Sequence, residues 1–295
     1  MKKTILSQTL CLAKEKVRHE IRYMTEKDLP AILQMASEEE WISDLVEFET
    51  FIEINPFGCF VCVKDNKVVG SIMTFHHTES AWIGNFIVSK KYRGRGIGKK
   101  LLSQAIEYLD RKKKKQIYLN ADFDAENLYE KFGFKKIMPV NRWQGKTAKS
   151  IKNIEGLQES IPDVFDFIKL DASLWKDERF FLITQLSFLR YACSHYEPSG
   201  FLMYGGVGCV GTIGPWELKN GDKKVAEKLF ISGLAKLKSR NKILLDVPAV
   251  NKEAERILAK YNFKNIGSTM FMCRGKLPKI DFDGIFSFAT MGSMG

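Results

Sequence analysis

The sequence predicts an α/β (α+β) chain made of two tandem domains of one fold, each a mixed, mostly antiparallel sheet flanked by helices. Three observations lead there. The first half reads as an antiparallel hairpin series running into a β-α-β-α-β series, which sets helices on both faces of a mixed sheet. The second half passes through nearly the same elements. One stretch also rhymes: Ala125-Glu126-Asn127-Leu128-Tyr129-Glu130-Lys131-Phe132-Gly133-Phe134 echoes Ala254-Glu255-Arg256-Ile257-Leu258-Ala259-Lys260-Tyr261-Asn262-Phe263. The expected domains are residues 1–146 and 147–295, each long enough for its own core.

In chain order, residues 20–24 alternate as a first strand. Thr25 caps a helix whose first turn holds Asp28, Leu29 and Pro30, where acid and proline are both favoured. A second helix is expected from Ser43 to Ile54, ended by Asn55-Pro56-Phe57-Gly58. Cys59–Lys64 and Val68–His76 form a hairpin around Asp65-Asn66, and Trp82–Ser89 follows the turn at Thr78–Ser80. Ile97–Leu109 is an amphipathic helix with Leu101, Leu102, Ala105, Ile106 and Leu109 on one face. A strand at Gln116–Asn120, a helix at Ala125–Phe132 capped by Gly133, and a strand at Phe134–Val140 complete the half. The polar stretch Gly145–Pro162 reads as a linker. Beyond it the expected order is strand Phe165–Leu170, helix Asp177–Cys193, strands Phe201–Gly205 and Val207–Ile213, helix Lys223–Lys238, strand Ile243–Val247, helix Asn251–Tyr261 and strand Ser268–Cys273.

Hydrophobic residues make up 45% and charged residues 27%, an ordinary globular balance that argues against disorder. The net charge of +11 favours anionic ligands without choosing among them. The six cysteines are scattered. Cys59 and Cys62 lie three apart on a strand, so they point to opposite faces and share neither a metal nor a disulfide. They read as small buried hydrophobes in a reducing compartment, and a cytoplasmic protein without metal is expected. The apolar run at Ile5-Leu6 is interrupted by Ser7, Gln8 and Thr9 and no cleavage site follows, which argues against export. No apolar run reaches the ~18 residues that span a bilayer. Arg111-Lys112-Lys113-Lys114-Lys115 falls at a helix C-terminus, where cations are favoured, and no stacking aromatics are interleaved with it. Nucleic acid is not an expected partner.

The chemistry-bearing feature is Arg93-Gly94-Arg95-Gly96-Ile97-Gly98-Lys99, between a strand and a helix. The first N–H groups of a helix have no partner within it and favour an anion ahead of them. Gly96 and Gly98 let phosphate oxygens approach the backbone, and Arg93 and Arg95 add charge. The glycine spacing is not that of a dinucleotide-binding fingerprint, and no Gly-Lys-Ser/Thr ends the turn as in a Walker loop. A glycine-rich connector with basic decoration is the plain alternative.

The turn resembles the acetyl-CoA signature of the GNAT superfamily of N-acetyltransferases, Gln/Arg-x-x-Gly-x-Gly/Ala, with Arg93, Gly96 and Gly98 at its fixed positions. Leu128-Tyr129-Glu130-Lys131-Phe132-Gly133-Phe134 resembles the second motif of that family. Ile213-Gly214-Pro215-Trp216, Leu245-Asp246-Val247-Pro248 and Met272-Cys273-Arg274-Gly275 resemble a degenerate second copy of tandem members. The resemblance implies transfer of an acetyl group from acetyl-CoA to the primary amine of a small molecule or peptide by direct attack. It implies that Phe86, Ile87 and Val88 lie along the pantetheine arm, that a backbone N–H near Val88 polarises the thioester carbonyl, and that Tyr129 protonates the departing thiolate. A core role for Tyr129 on its amphipathic helix is the competing reading.

Many family members carry a glutamate base on the fourth strand. Here Gly84 and Asn85 stand at those positions, and neither is a base. Asp122 and Glu79 are the acidic candidates, with His76 and His77 also near, and a water chain or a neutral amine would need none. Proline in Gly211-Thr212-Ile213-Gly214-Pro215-Trp216 removes a backbone donor, so one cofactor site is expected, in the first copy. Asp246, Arg274 and Asn85 are the candidates for acceptor binding. The expected assembly is a monomer or homodimer. The reading from another class is a non-catalytic acyl-CoA-binding or regulatory module that has lost its base.

Overall fold

The computed structural model describes residues 19–43, 45–147, 164–189, 194–197, 199–219, 222–276 and 279–293. The N-terminal residues weighed for export and most of the expected linker lie outside this set.

The first half contributes β1 (Glu20–Tyr23), α1 (Leu29–Glu38), α2 (Leu45–Ile54), β2 (Cys59–Lys64), β3 (Lys67–His76), β4 (Ser80–Val88), α3 (Ile97–Arg111), β5 (Gln116–Ala121), α4 (Glu126–Glu130) and β6 (Lys135–Gly145). The second contributes α5 (Val164–Trp175), α6 (Phe180–Leu189), β7 (Ser194–Glu197), β8 (Gly200–Val207), β9 (Val210–Leu218), α7 (Lys223–Lys236), β10 (Lys242–Pro248), α8 (Lys252–Lys260), β11 (Lys264–Gly275) and β12 (Ile285–Ser287). The architecture is the expected mixed sheet flanked by helices.

The halves do not close into separate sheets. All strands join one 12-stranded sheet in the order β1-β2-β3-β4-β5-β11-β6-β10-β9-β8-β7, with β12 on β9. One long strand of each half, β6 and β11, is exchanged. β11 pairs antiparallel with β5, from Met270 opposite Ala121 to Gly275 opposite Gln116. β6 pairs antiparallel with β10, from Val140 opposite Pro248 to Gly145 opposite Ile243. β6 and β11 lie side by side at the centre.

The cores follow this weave. One lies under α3, with Leu101, Leu102, Ala105 and Leu109 against Cys62, Ile72 and Ile117. Another lies under α7 and α8 in the second half. The third is shared, bringing Phe48, Trp82 and Tyr118 together with Trp175, Phe201, Phe271 and Phe288. Cys59 belongs to the shared core and Cys62 to the α3 core, on opposite faces as the spacing requires. A polar clasp also joins the halves: the Asp177 carboxylate accepts the N–H groups of Glu79 at 2.9 Å and Ser80 at 2.8 Å, and the Ser80 hydroxyl at 2.6 Å.

Two local expectations are corrected. Phe165–Leu170 is not a strand but the start of α5. Its apolar residues alternate over a short window, yet the buried set Phe167, Ile168, Asp171, Leu174 and Trp175 repeats at helical spacing over the full element. The break after β8 falls at Gly208-Cys209, with Gly208 at a φ of +56°. Strand β9 therefore begins at Val210 and runs on to Leu218.

Candidate active site

The site begins where β4 leaves β5. The two run parallel from Ser80 and Gln116 to Trp82 and Tyr118 and then part. A bulge in β4 drives the separation. Ser71 of β3 faces Ile87 while Met73 faces Gly84, so β4 holds one residue more than its partner over that stretch. Asn85 absorbs the extra residue at a φ of +47°, in the left-handed region where asparagine is enriched among non-glycine residues. Beyond the bulge, Asn85, Phe86, Ile87 and Val88 line a cavity of about 920 Å³.

At the C-terminal end of β4 the glycine turn closes the same cavity. Gly94 and Gly96 take φ values of +75° and +80°, conformations that cost a side-chain-bearing residue strain. The Lys100 N–H donates to the Gly96 carbonyl at 3.2 Å. The N–H groups of Ile97, Gly98 and Lys99 thus precede the helical ladder, and Gly96, Ile97 and Gly98 line the cavity. Arg93 holds the turn in place: its Nε donates to the Val88 carbonyl at 2.9 Å and its guanidinium bonds Glu39. Arg95 stacks over the Tyr92 ring at 5.4 Å. Arg95 and Lys99 do not line the cavity.

Tyr129 forms part of the opposite wall, edge-on to Phe86 at 6.2 Å and to Phe134 at 5.9 Å. Burial, and then the negative charge of Asp122, push its phenol above the ordinary range, so it stays protonated at neutral pH. Asp122 is exposed at the cavity's edge. Asn85 sits on the bulge, its amide 3.4 Å from a Glu47 carboxylate oxygen.

The remaining candidates fall elsewhere. Glu79 lies in the turn before β4, at the opposite end of that strand from Val88, and is ion-paired with Lys115. Eight residues of strand separate the two ends, roughly 25 Å, which takes Glu79 out of the site. Arg274 turns toward α3, bonds Asp110 at 2.6 and 3.1 Å, and is also outside the cavity. Asp246 is buried behind the wall, where it accepts two bonds from Arg142 at 2.8 and 2.7 Å; Arg142 is the one that lines the cavity. His76 contacts Asn55 at 3.2 Å and the Tyr108 hydroxyl at 3.3 Å, and burial followed by Lys114 and Lys112 pushes its pKa down to about 4. Neither His76 nor His77 lines the cavity.

Glu47, Arg142 and Asn120 are among the lining residues that the motifs do not point to. Both polar atoms of the Asn120 side chain are buried without a partner among the described residues. An unpaired amide in a cavity wall is costly unless something fills the space beside it.

The Acetyltransferase (GNAT) family matches residues 20–134. That part of the chain is similar to the acetyltransferases of the GNAT family. A relative along most of its length is the holothin acyltransferase of Pseudoalteromonas sp. (strain SANK 73390), 25% identical over 268 residues and covering 88% of each protein. The N-alpha-acetyltransferase 30 of Saccharomyces cerevisiae is 32% identical over 107 residues, which is 35% of this chain and 57% of the yeast protein. The fold of a putative acetyltransferase from Pyrococcus horikoshii superposes with a TM-score of 0.79 at 24% identity, covering 92% of this chain and 94% of that one. In both a mixed sheet is flanked by helices, and among the described residues no helix is long and apolar enough to cross a membrane.

Proposed function

We propose that this protein is an acetyl-CoA-dependent N-acetyltransferase, moving the acetyl group to a primary amine by direct attack in a ternary complex. One observation carries the reading: the Asn85 bulge splays β4 from β5 and sets its free backbone beside a buried, protonated Tyr129, with the glycine turn at the strand's end. In this assignment the N–H groups of Ile97 and Gly98, at the cavity's turn, hold the pyrophosphate. Phe86, Ile87 and Val88 border the pantetheine arm, and a β4 N–H polarises the thioester carbonyl. The amine nitrogen bonds to the carbonyl carbon as the C–S bond breaks, and the Tyr129 phenol gives its proton to the thiolate. The amine loses its proton to Asp122 or to water that Asp122 orders. Residues 1–146 carry the cofactor, and residues 147–295 shape the acceptor end of the cavity.

The position usually held by a basic glutamate on β4 is Gly84 or Asn85, which favours a second reading, an acyl-CoA-binding module without catalysis. Calorimetry with acetyl-CoA and CoA tests what the two share, and binding of neither overturns both. Release of thiol from acetyl-CoA in the presence of holothin, spermine or a peptide with a free N-terminus separates them. Acetyl-CoA bound with no amine acetylated leaves the module.

A further inference from the structure

The halves open at corresponding places. Strands β4 and β5 run parallel only to Trp82 and Tyr118, and β9 and β10 only to Thr212 and Leu244. In the second half the chain fills its own opening. β12 pairs with β9 at Glu217 and Trp216. The Ser287 hydroxyl donates to the Ile213 carbonyl at 3.0 Å and lies 3.3 Å from that of Asp246. The Phe288 N–H donates to the Asp246 carbonyl at 2.8 Å. Ser287 is fully buried, and a Cβ on Gly214 would meet the Phe288 carbonyl oxygen at 2.0 Å. Backbone thus bridges β9 and β10, where the other half has open space.

The same segment then reaches the first opening. The Trp82 indole donates to the Gly292 carbonyl at 3.0 Å, and Arg142 donates to the Met291 carbonyl at 3.3 Å. A Cβ on Gly84 would lie 2.2 Å from the Ser293 carbonyl oxygen and 2.7 Å from its Cα. Met291, Gly292 and Ser293 line the cavity beside Asn85 and Asn120. They lie on the face of Trp82 and of Phe48 from α2, opposite the face packed by α3. The backbone of Ser293 therefore takes up the volume that a side chain at position 84 would fill.

We propose that Met291–Ser293 form the acceptor-side wall of the cavity and position the incoming amine, with β12 as their anchor in the sealed second opening. Gly84 is then a specificity-determining residue, because its missing side chain admits the wall. This rests on the acetyltransferase reading above.

The test measures acetyl-CoA affinity by calorimetry and the KM of the best amine among spermine, holothin and a free-N-terminal peptide. Gly84→Ala drives a methyl into the Ser293 backbone, and Trp82→Phe removes the indole bond to Gly292 while keeping an aromatic ring. Each should raise the amine KM by about tenfold or more while acetyl-CoA affinity stays within about twofold. In a chain ending at Ala289, Gly84→Ala should add nothing further. Unchanged amine KM in both substitutions, or the same Gly84→Ala penalty with and without the wall, overturns the inference and leaves the acetyltransferase reading standing. Failure of the wild-type chain to acetylate any of the amines overturns that reading, and this one with it.

Discussion

Phe271 sits where the strand exchange is most exposed to test. It is carried by β11, in the second half of the sequence, yet its ring stacks on Trp82 at 5.7 Å and lies 5.5 Å from Tyr118, both in the first half. On the other side it meets Phe288 at 5.5 Å and Trp175 at 6.5 Å. It is fully buried. Phe271→Ala removes the ring from a wall built by both halves, a site with little freedom to collapse, and should cost about 3–5 kcal/mol. With a urea m-value near 3 kcal/mol/M, the midpoint should fall by roughly 1–1.7 M. Tryptophan fluorescence reports both halves at once, because Trp41, Trp82 and Trp143 lie in the first and Trp175 and Trp216 in the second. An exchanged sheet should unfold in one transition that moves as a whole. Two transitions in the wild type, with only one displaced by Phe271→Ala, would refute the claim that the halves are one cooperative unit.

Tyr129→Phe keeps the ring packing against Phe86 and Phe134 but removes the proposed proton donor; kcat should fall about 10²-fold or more with acetyl-CoA affinity nearly unchanged. Asp246→Ala leaves the Arg142 guanidinium without its two carboxylate bonds. Because that side chain is still 35% exposed, the cost should be about 2 kcal/mol, below the ~3–5 of a fully buried pair, read as a lower urea midpoint. His76 is held neutral in the fold, with a pKa near 4 against an ordinary 6.5, so the unfolded chain binds the extra proton between those values. Its contribution to stability is complete above about pH 6.5 and is lost as the pH falls toward 4, and His76→Gln should flatten the decline of Tm across that window.

What the sequence made legible is what depends on neighbours along the chain. The glycine turn, the amphipathic face of α3 and the opposed faces of Cys59 and Cys62 follow from local periodicity and local chemistry. The bulge did not show, since an extra residue in β4 exists only relative to Ser71 and Met73 of β3. Asn85 was picked out as a residue beside the chemistry, while its left-handed backbone, which opens the slot, belongs to the pairing. Glu79 was misplaced because nearness in sequence was read as nearness in space, which an extended strand does not grant. Arg142 carries no motif, and its orientation comes from Asp246, 104 residues away and on another strand.

Strand exchange gives this division a physical basis. Pairing between β5 and β11 hides an edge that the first half would otherwise present to solvent, with Met272 of the second half buried in the core under α3. Neither half can complete its sheet without the exchanged strand of the other, β6 or β11. The end of the cavity proposed for the cofactor is built from β4, the turn and α4, segments that are contiguous or nearly so. The opposite end takes Arg142 from β6, Thr269 from β11, Lys242 and Leu244 from β10, and Met291–Ser293. If acetyl-CoA binds at the first end, as proposed, then its recognition rests on short-range motifs that tolerate change elsewhere. Acceptor recognition at the other end would then rest on contacts that exist only once both halves have folded together. Substitutions in the second half should therefore change which amine is used well before they change whether acetyl-CoA binds.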